Sequence, residues 1–138
     1  TLESIDKVIK ELVKKSDSII LGSRDFEGDV PFKSRFGNKL TRRIFKCVCG
    51  IYLEDTQTGL RAMSITNAKR LLDIRGDRYE YEMNMLMTFA HAGIPIVEIP
   101  IATVYEEGKN ETTHYRPIAD SIKIYKTIIS FAFHTLFN

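Results

Sequence analysis

The chain has 138 residues, of which 43% are hydrophobic, and its 20 basic and 18 acidic residues give a formal net charge of +2. This length and composition fit one globular domain with a core of its own and exclude a disordered polypeptide. The charge is small and no basic run is interleaved with aromatic residues, so no nucleic-acid partner is expected.

An amphipathic helix is predicted at the start of the chain. Apolar residues recur at helical spacing over the first fifteen positions, and we expect this face to cover a sheet: Leu2, Ile5, Val8, Ile9, Leu12 and Val13. The run from Ser18 to Gly22 is short, apolar and of strand length. A helix followed by a buried strand is typical of α/β proteins.

The polar segment 23–33 leaves the carboxyl end of this strand, where open α/β sheets place their ligands. Arg24 is therefore a candidate binding residue. A second helix is predicted from an N-cap at Ser34 to Cys49, with Gly50 as its stop signal. Its basic face is of a kind that is usually solvated but could also meet acidic lipid heads or phosphates: Arg35, Lys39, Arg42, Arg43 and Lys46.

The cysteines and histidines form no recognisable metal or redox motif. Cys47 and Cys49 are two positions apart, whereas a redox pair or zinc knuckle has two intervening residues. The histidines are scattered, at His91, His114 and His134. With no disulfide framework and no secretory signal, we expect a cytosolic or cytosol-facing protein.

The run from Leu53 to Arg61 places acidic, amide, hydroxyl, glycine and guanidinium groups within nine residues. Asp55 can accept a proton, Gln57 and Thr58 can hydrogen-bond a polyol, and Arg61 can bind an anion. The same residues also fit a plain Asp-initiated turn that leads into a strand. Both interpretations stay open on this run alone.

Two further helices are predicted, from Ser64 to Leu72 and from Tyr79 to Ala92, the second ending at Gly93. We expect the second helix to present an apolar face with methionines packed in the core. Of its carboxylates, Glu80 and Glu82 point to different faces, so at most one of them faces a site.

The β-rich run 94–105 contains two prolines, each of which removes a ladder hydrogen bond, so a strand at a sheet margin is predicted. The polar segment 106–116 has the size of a lid loop. A last helix follows, with Pro117 in its first turn, and becomes more apolar toward its end. Its final apolar run is shorter than the roughly 20 residues that cross a bilayer.

Taken in order, these motifs resemble family 2 glycosyltransferases, and within them the polyprenyl-phosphate branch of dolichyl-phosphate mannose synthase and bacterial undecaprenyl-phosphate glycosyltransferases. The resemblance extends from Ser18 to about Tyr125. The residues that carry it are Gly22-Ser23-Arg24, Arg35 with Asn38, Asp55 to Arg61, Tyr81-Glu82, Glu98 to Ile101, Tyr105 and His114 to Pro117.

The resemblance implies a GT-A fold, whose first half is a Rossmann-like nucleotide-sugar site with an Asp-x-Asp metal motif. The chain contains no Asp-x-Asp pair. We therefore expect residues 1–138 to be the acceptor-side half of a catalytic domain, with few strands flanked by helices, and 117–138 to be a juxtamembrane-like apolar helix. The Mg²⁺ or Mn²⁺ of the complete domain is expected to have its ligands mostly outside this chain, and none is assigned within it.

The resemblance also implies inverting transfer, in which an acceptor oxygen attacks the anomeric carbon while the nucleoside diphosphate leaves from the opposite side. Asp55 matches the family's acidic residue at the acceptor site, as a base or, for an already anionic lipid phosphate, as an organiser of the site. Arg61 is expected to bind an anion or to pair with a carboxylate beneath the site. The family's loop arginines near phosphates match Arg24, Arg35 and Arg116. His114 matches a position on the mobile loop at which this branch often has a polar residue.

The predicted function is hexose transfer from a nucleotide sugar to a polyprenyl phosphate at the cytoplasmic face of a membrane. The membrane surface and a second copy of the chain are expected partners. The isolated chain is expected to be inactive. Two alternatives stay open. One is a family 2 transferase with a soluble or polysaccharide acceptor, and the other is a non-catalytic membrane-recruitment module whose basic helix docks on anionic lipid.

Overall fold

A computed structural model describes residues 1–24 and 32–102, then positions 122, 125–126 and 128–130; within helices, the side chains at 32–38, 40, 44, 78 and 79 lie outside the description. The predicted lid loop 106–116 and most of the last helix also lie outside it. The helices and strands follow in the order α1 (Leu2–Lys14), β1 (Ile19–Arg24), α2 (Phe32–Cys49), β2 (Arg61–Ala62), α3 (Ile65–Arg70), a 3-10 helix (Leu71–Asp73), α4 (Arg78–His91) and β3 (Ile96–Ile101).

The sheet has the strand order β2-β1-β3 in the described residues. Strand β3 runs parallel to β1, from the pair Ile19 and Ile96 to the pair Arg24 and Ile101, whereas the short β2 is antiparallel to β1. A mixed sheet flanked by helices confirms the α/β prediction and is consistent with part of a Rossmann-like domain. Strand β3 lies at a margin of this sheet, as its prolines predict.

Strand β1 is the buried centre of the structure. Ile19, Ile20 and Leu21 are fully buried, as a strand covered on both faces requires. A Cβ atom placed on Gly22 would lie 2.8 Å from Cδ1 of Ile101 and 3.3 Å from Cδ2 of Leu60. Glycine therefore allows β3 and the segment after residue 52 to approach the end of β1 closely.

The main hydrophobic core lies between this sheet and helices α2 and α4. It is formed by buried residues from both helices together with Leu53 and Ile128: Phe45, Met83, Met85, Leu86, Met87 and Phe89. The predicted core role of the α4 methionines is thus confirmed. The core residues come from elements far apart in sequence, so this core packs helices against strands.

The prediction that α1 covers the sheet is confirmed, since α1 contacts all three strands, but the predicted contact residues are largely wrong. Its contact with the sheet runs through Ser4 and Val8, which are buried, while most of the apolar face is exposed: Leu2, Ile5, Ile9 and Val13. With 3.6 residues per turn, Ser4 and Val8 lie at one edge of the apolar face of the helix. When this edge packs on the sheet, the rest of the apolar face stays exposed. The periodicity predicted the helix, which begins after an N-cap at Thr1, but not the face that it packs.

The helix boundaries agree with the sequence signals, with one exception. Helix α2 ends before Gly50, which has a φ of +71°, and α3 follows an N-cap at Ser64. The predicted N-cap at Ser34 is wrong, because α2 begins at Phe32. No helix breaker separates Phe32 from Ser34 in the sequence, so the helix extends over both.

A matched pair of leucines tests the position of the core. Leu86→Ala removes a side chain that is 0% exposed and is expected to lower the free energy of unfolding by about 2–5 kcal/mol. Leu72→Ala changes a side chain that is 86% exposed and should stay within about 0.5 kcal/mol of the wild type. Urea denaturation measures both. Equal losses in the two variants would contradict this packing.

Candidate functional site

The segment 53–60 is held against the carboxyl end of β1 by hydrogen bonds to Gly22. The Gly22 amide donates to the Leu60 carbonyl at 2.9 Å, and the buried Thr58 hydroxyl donates to the Gly22 carbonyl. Leu53 anchors the start of the segment in the core. The Asp55 loop, as we call residues 53–60, therefore lies where the sequence predicts a ligand site.

Asp55 is fully buried and forms a bidentate ion pair with Arg24. The Arg24 Nε donates to Oδ2 at 2.6 Å and Nη2 donates to Oδ1 at 3.0 Å. The backbone amides of Arg24 and Gln57 add bonds to Oδ2 at 3.3 Å and to Oδ1 at 3.1 Å. Four hydrogen bonds thus satisfy the two carboxylate oxygens, which lets an ionised group occupy a buried position.

Glu98 on β3 holds the backbone of the same loop. Its Oε2 accepts from the Glu54 amide at 2.7 Å, and its Oε1 accepts from the Asp55 amide at 2.8 Å. A carboxylate that binds two successive amides fixes both peptide planes. Glu98 therefore orients Asp55, which in turn orients Arg24, and the site is built from β1, the Asp55 loop and β3.

Arg61 and Glu82 form a second ion pair beside the first. Arg61 on β2 is mostly buried, and its Nη2 lies 3.3 Å from Oε2 of Glu82 on α4. Burial lowers the pKa of Arg61 and raises the pKa of Glu82, and in each case the partner's charge opposes that effect. This is the carboxylate pairing that the sequence left open for Arg61, and it identifies Glu82 as the α4 carboxylate that faces inward.

The Arg61 guanidinium is incompletely satisfied. Its Nη1 has a long contact of 3.7 Å with the Met85 sulfur, while its buried Nε and Nη2 have no hydrogen-bond partner in the described residues. Glu82 lies within ion-pair distance but outside hydrogen-bond geometry with Nη2. A buried guanidinium in this state can donate a further hydrogen bond to an oxygen.

The structure describes only some of the other predicted binding residues. Gln57 is half-buried beside Asp55, and the Thr58 hydroxyl is engaged with Gly22 inside the fold, so their substrate contacts stay predictions. Arg35 lies in the first turns of α2, with a side chain outside the description. His114 and Arg116 lie outside the described residues.

Sequence reasoning missed the contacts made by Glu98 and Arg42. Arg42 on α2 donates to the Glu54 carbonyl at 3.1 Å and pairs with the Glu54 carboxylate, which connects α2 to the Asp55 loop. Glu98 was recognised only as part of a motif. The available signal was a carboxylate in the middle of an otherwise apolar strand, which is uncommon unless the group has a buried partner.

The described residues contain neither a metal-binding cluster nor a membrane-spanning helix. No group of three or more His, Cys, Asp or Glu side chains there could hold a metal ion. None of the helices in this part of the chain is long and apolar enough to cross a membrane. The geometry described above therefore consists of arginine and carboxylate groups, without a metal site assigned to this part of the chain.

Comparison with known proteins relates the chain to a glycosyltransferase. It is 32% identical over 111 residues to UDP-N-acetylglucosamine–dolichyl-phosphate N-acetylglucosaminyltransferase of Methanococcus voltae, a match that covers 76% of this chain and 44% of that protein. It is also 30% identical over 110 residues to an uncharacterised protein of Methanocaldococcus jannaschii, covering 76% and 45%. The chain thus spans somewhat less than half the length of these relatives. No family model and no solved structure matches it.

The role of Glu98 is testable by Glu98→Gln. A glutamine has one carbonyl oxygen for two amides, and its own NH₂ group would face an amide donor. We expect the free energy of unfolding to fall by about 1–3 kcal/mol, the cost of losing hydrogen bonds to a charged group. Glu3→Gln, which changes an exposed residue paired with Lys7, should leave stability near the wild-type value in the same urea titration. Similar free energies of unfolding for both variants would contradict the role of Glu98 in holding the Asp55 loop.

The raised pKa of Glu82 predicts a pH dependence of stability. A carboxyl group that titrates higher in the folded than in the unfolded state stabilises the fold fully below its ordinary pKa of 4.5, and this contribution is lost as the pH rises through the folded-state pKa. The free energy of unfolding of the wild type minus that of Glu82→Gln should therefore decrease as the pH rises above 4.5. A difference that increases with pH would show that the pair with Arg61 outweighs burial.

Proposed function

We propose that the chain is the acceptor-side half of the catalytic domain of an inverting, GT-A-fold glycosyltransferase of family 2. In this proposal the complete enzyme moves a hexose from a nucleotide sugar to a polyprenyl phosphate at the cytoplasmic face of a membrane. Two findings support it. The chain is similar to a transferase whose name specifies a dolichyl-phosphate acceptor, and a mixed α/β sheet carries Arg24 at the carboxyl end of its central strand.

The observation that carries the proposal is the ion pair between Arg24 and Asp55. The two bonds to Asp55 fix the plane of the guanidinium, while 35% of the Arg24 side chain stays exposed. A planar, oriented guanidinium suits phosphate oxygens, which it can bind in pairs. Arg24 is therefore the residue that we assign to the acceptor phosphate.

The proposed reaction does not need a general base. A phosphate oxygen of the acceptor forms a bond to the anomeric carbon, and the bond from that carbon to the nucleoside diphosphate breaks, with its electron pair leaving on the diphosphate. The attacking oxygen is already anionic near neutral pH. We therefore assign to Asp55 the orientation of Arg24 rather than proton abstraction, since both of its oxygens are occupied by hydrogen bonds.

The remaining residues have supporting roles in this proposal. Arg35 and Arg116 add positive charge for phosphates, and His114 and Gln57 contact the substrates. Thr58 supports the site from inside the fold, since its buried hydroxyl donates to the Gly22 carbonyl. Arg61, paired with Glu82 and mostly buried, supports the site from within the fold. The expected Mg²⁺ or Mn²⁺ belongs to the donor side, and no step assigned to this chain's residues depends on it.

Variants of the full-length protein test the assignment of Arg24. Arg24→Ala is expected to lower transfer to a polyprenyl phosphate by about 10-fold to 100-fold, the value of hydrogen bonds to a charged group. Arg70→Ala, which changes an exposed arginine of α3, is the control and should have wild-type activity. If Arg24→Ala keeps full activity with the lipid phosphate, or if only a soluble sugar serves as acceptor, the proposal is wrong.

The same assay separates the two roles of Asp55. If Asp55 orients Arg24, Asp55→Asn should mainly raise the KM for the lipid phosphate and leave the shape of the pH profile of kcat unchanged. If Asp55 is the base, the variant should instead lose kcat by several orders of magnitude at unchanged KM.

A further inference from the structure

One side of helix α1 is apolar and is not covered by the described part of the chain. Leu2 is 86% exposed and Val13 77%, and Ile9 and Ile5 are about half exposed. Single exposed apolar residues are common on protein surfaces, whereas a contiguous group of them marks a contact with another surface. We name these four residues the lateral apolar face of α1: Leu2, Ile5, Ile9 and Val13.

The lateral apolar face points to the side of α1, along the sheet. Ser4 and Val8 are buried and define the direction of the sheet, all three strands of which α1 contacts. Successive helix residues are rotated by about 100°, which places Ile5 and Ile9 about 80° and 120° around the helix from that direction. Side chains at these angles point toward the position that a neighbouring element of the same layer would occupy.

The charges of α1 lie away from this face and compensate each other. Lys7 lies 2.8 Å from Glu3, and Lys10 lies 2.6 Å from Asp6, so residues one turn apart form ion pairs. The rotation per residue places both pairs on the other flank of the helix. The acidic and basic residues of α1 are equal in number, so the helix has no net charge that would attract an acidic membrane. Its apolar flank suits an apolar protein surface.

The relatives contain further chain that can supply such a surface. The matches cover 44% and 45% of their lengths, so each relative has more residues outside the match than inside it. The proposed function assigns a donor-side half to the same catalytic domain. Strand β2 has two residues, and among the described residues no strand lies beyond it. A sheet of three strands that ends in this way is typical of one part of a larger sheet.

We propose that the lateral apolar face of α1 is an interface with the donor-side half of the complete enzyme, whose apolar side chains cover it. This inference rests on the proposed function, which includes that half. A tight turn links α1 to β1, in which the Ser18 amide donates to the Lys15 carbonyl at 2.9 Å. Because β1 ends at Arg24, the interface holds Arg24 at a fixed position relative to the sugar donor.

Hydroxyl-radical footprinting of the full-length protein tests the interface without any substitution. Mass spectrometry compares the oxidation rate of each side chain in the native and in the urea-unfolded protein. Leu2 and Ile9 should oxidise at least about fivefold more slowly in the native protein, as expected also for the buried Leu86. Leu72, which is 86% exposed like Leu2, is the matched control and should keep most of its unfolded rate. Less than fivefold protection of Leu2 and Ile9 overturns the proposal.

The same measurement distinguishes the donor-side half from two other partners. Protection within one molecule does not change when the protein is diluted, and it needs no lipid. Protection that disappears on dilution assigns the face to a second copy of the protein. Protection that requires added vesicles of phosphatidylcholine with phosphatidylglycerol assigns it to a lipid surface. Either result overturns the proposal.

A matched pair of substitutions in the full-length protein gives a second readout. Ile9→Asp places a charge in the proposed interface and is expected to lower the Tm by about 5 °C or more, because an unpaired buried charge is strongly destabilising. Ile65→Asp makes the same change at a residue that is 75% exposed in the first turn of α3, and its Tm should stay within about 2 °C of the wild type. Equal Tm shifts contradict the interface. If Ile9→Asp does not fold, footprinting of the unsubstituted protein decides.

The two proposals can fail separately. The dependence of transfer on Arg24 is measured in a protein with an unchanged α1. Exposed Leu2 and Ile9 in a protein whose transfer depends on Arg24 would overturn the interface and leave the proposed function standing. Protected Leu2 and Ile9 in a protein that does not use a lipid phosphate would overturn the proposed function, while the contact of α1 with the rest of the protein would remain.

Discussion

The burial of the Asp55 carboxylate is the constraint on which the rest of the site depends. An ionised carboxylate removed from water is costly unless it is paired and fully hydrogen-bonded. Asp55 meets this condition through the Arg24 guanidinium and two backbone amides. Each of these donors must therefore stay in place, and this fixes the end of β1 against the Asp55 loop. Because Arg24 is partly exposed, the pair joins a buried, fixed carboxylate to a cation that solvent can reach.

In this arrangement, the residues that hold the loop in place differ from the residue that is available for binding. Glu98 connects the loop to β3 through hydrogen bonds near the surface, and the buried bond from Thr58 to Gly22 connects it to β1, whereas Arg24 is partly exposed. A site that binds a phosphate benefits from such support, since an oriented guanidinium loses less conformational freedom on binding. Arg61 and Glu82 form a second, mostly buried ion pair, in which two Arg61 nitrogens have no hydrogen-bond partner in the described residues. The proposed lipid-phosphate acceptor fits this cationic, preorganised end of the sheet.

Much of the fold followed from local patterns in the sequence. The strand before Arg24, the helix stop at Gly50 and the marginal strand with two prolines were predicted because glycine, proline and periodicity act within a few residues. The contact of Glu98 with Asp55 joins residues 43 positions apart, and no local signal reports it. The contact residues of α1 were predicted wrongly although the helix does cover the sheet, because its apolar face is wider than the part that meets the sheet. Thr58 likewise looked free to bind a ligand, although its hydroxyl is engaged with Gly22.

The central claim is that Asp55 orients Arg24 for an acceptor phosphate. A structure of the full-length protein with a short-chain polyprenyl phosphate tests it most directly. We expect a phosphate oxygen within about 3 Å of the Arg24 guanidinium, the distance of a charged hydrogen bond, with both oxygens of Asp55 still bound to Arg24. A phosphate bound away from Arg24, or an Asp55 carboxylate that has left Arg24 to contact the attacking oxygen, would contradict it.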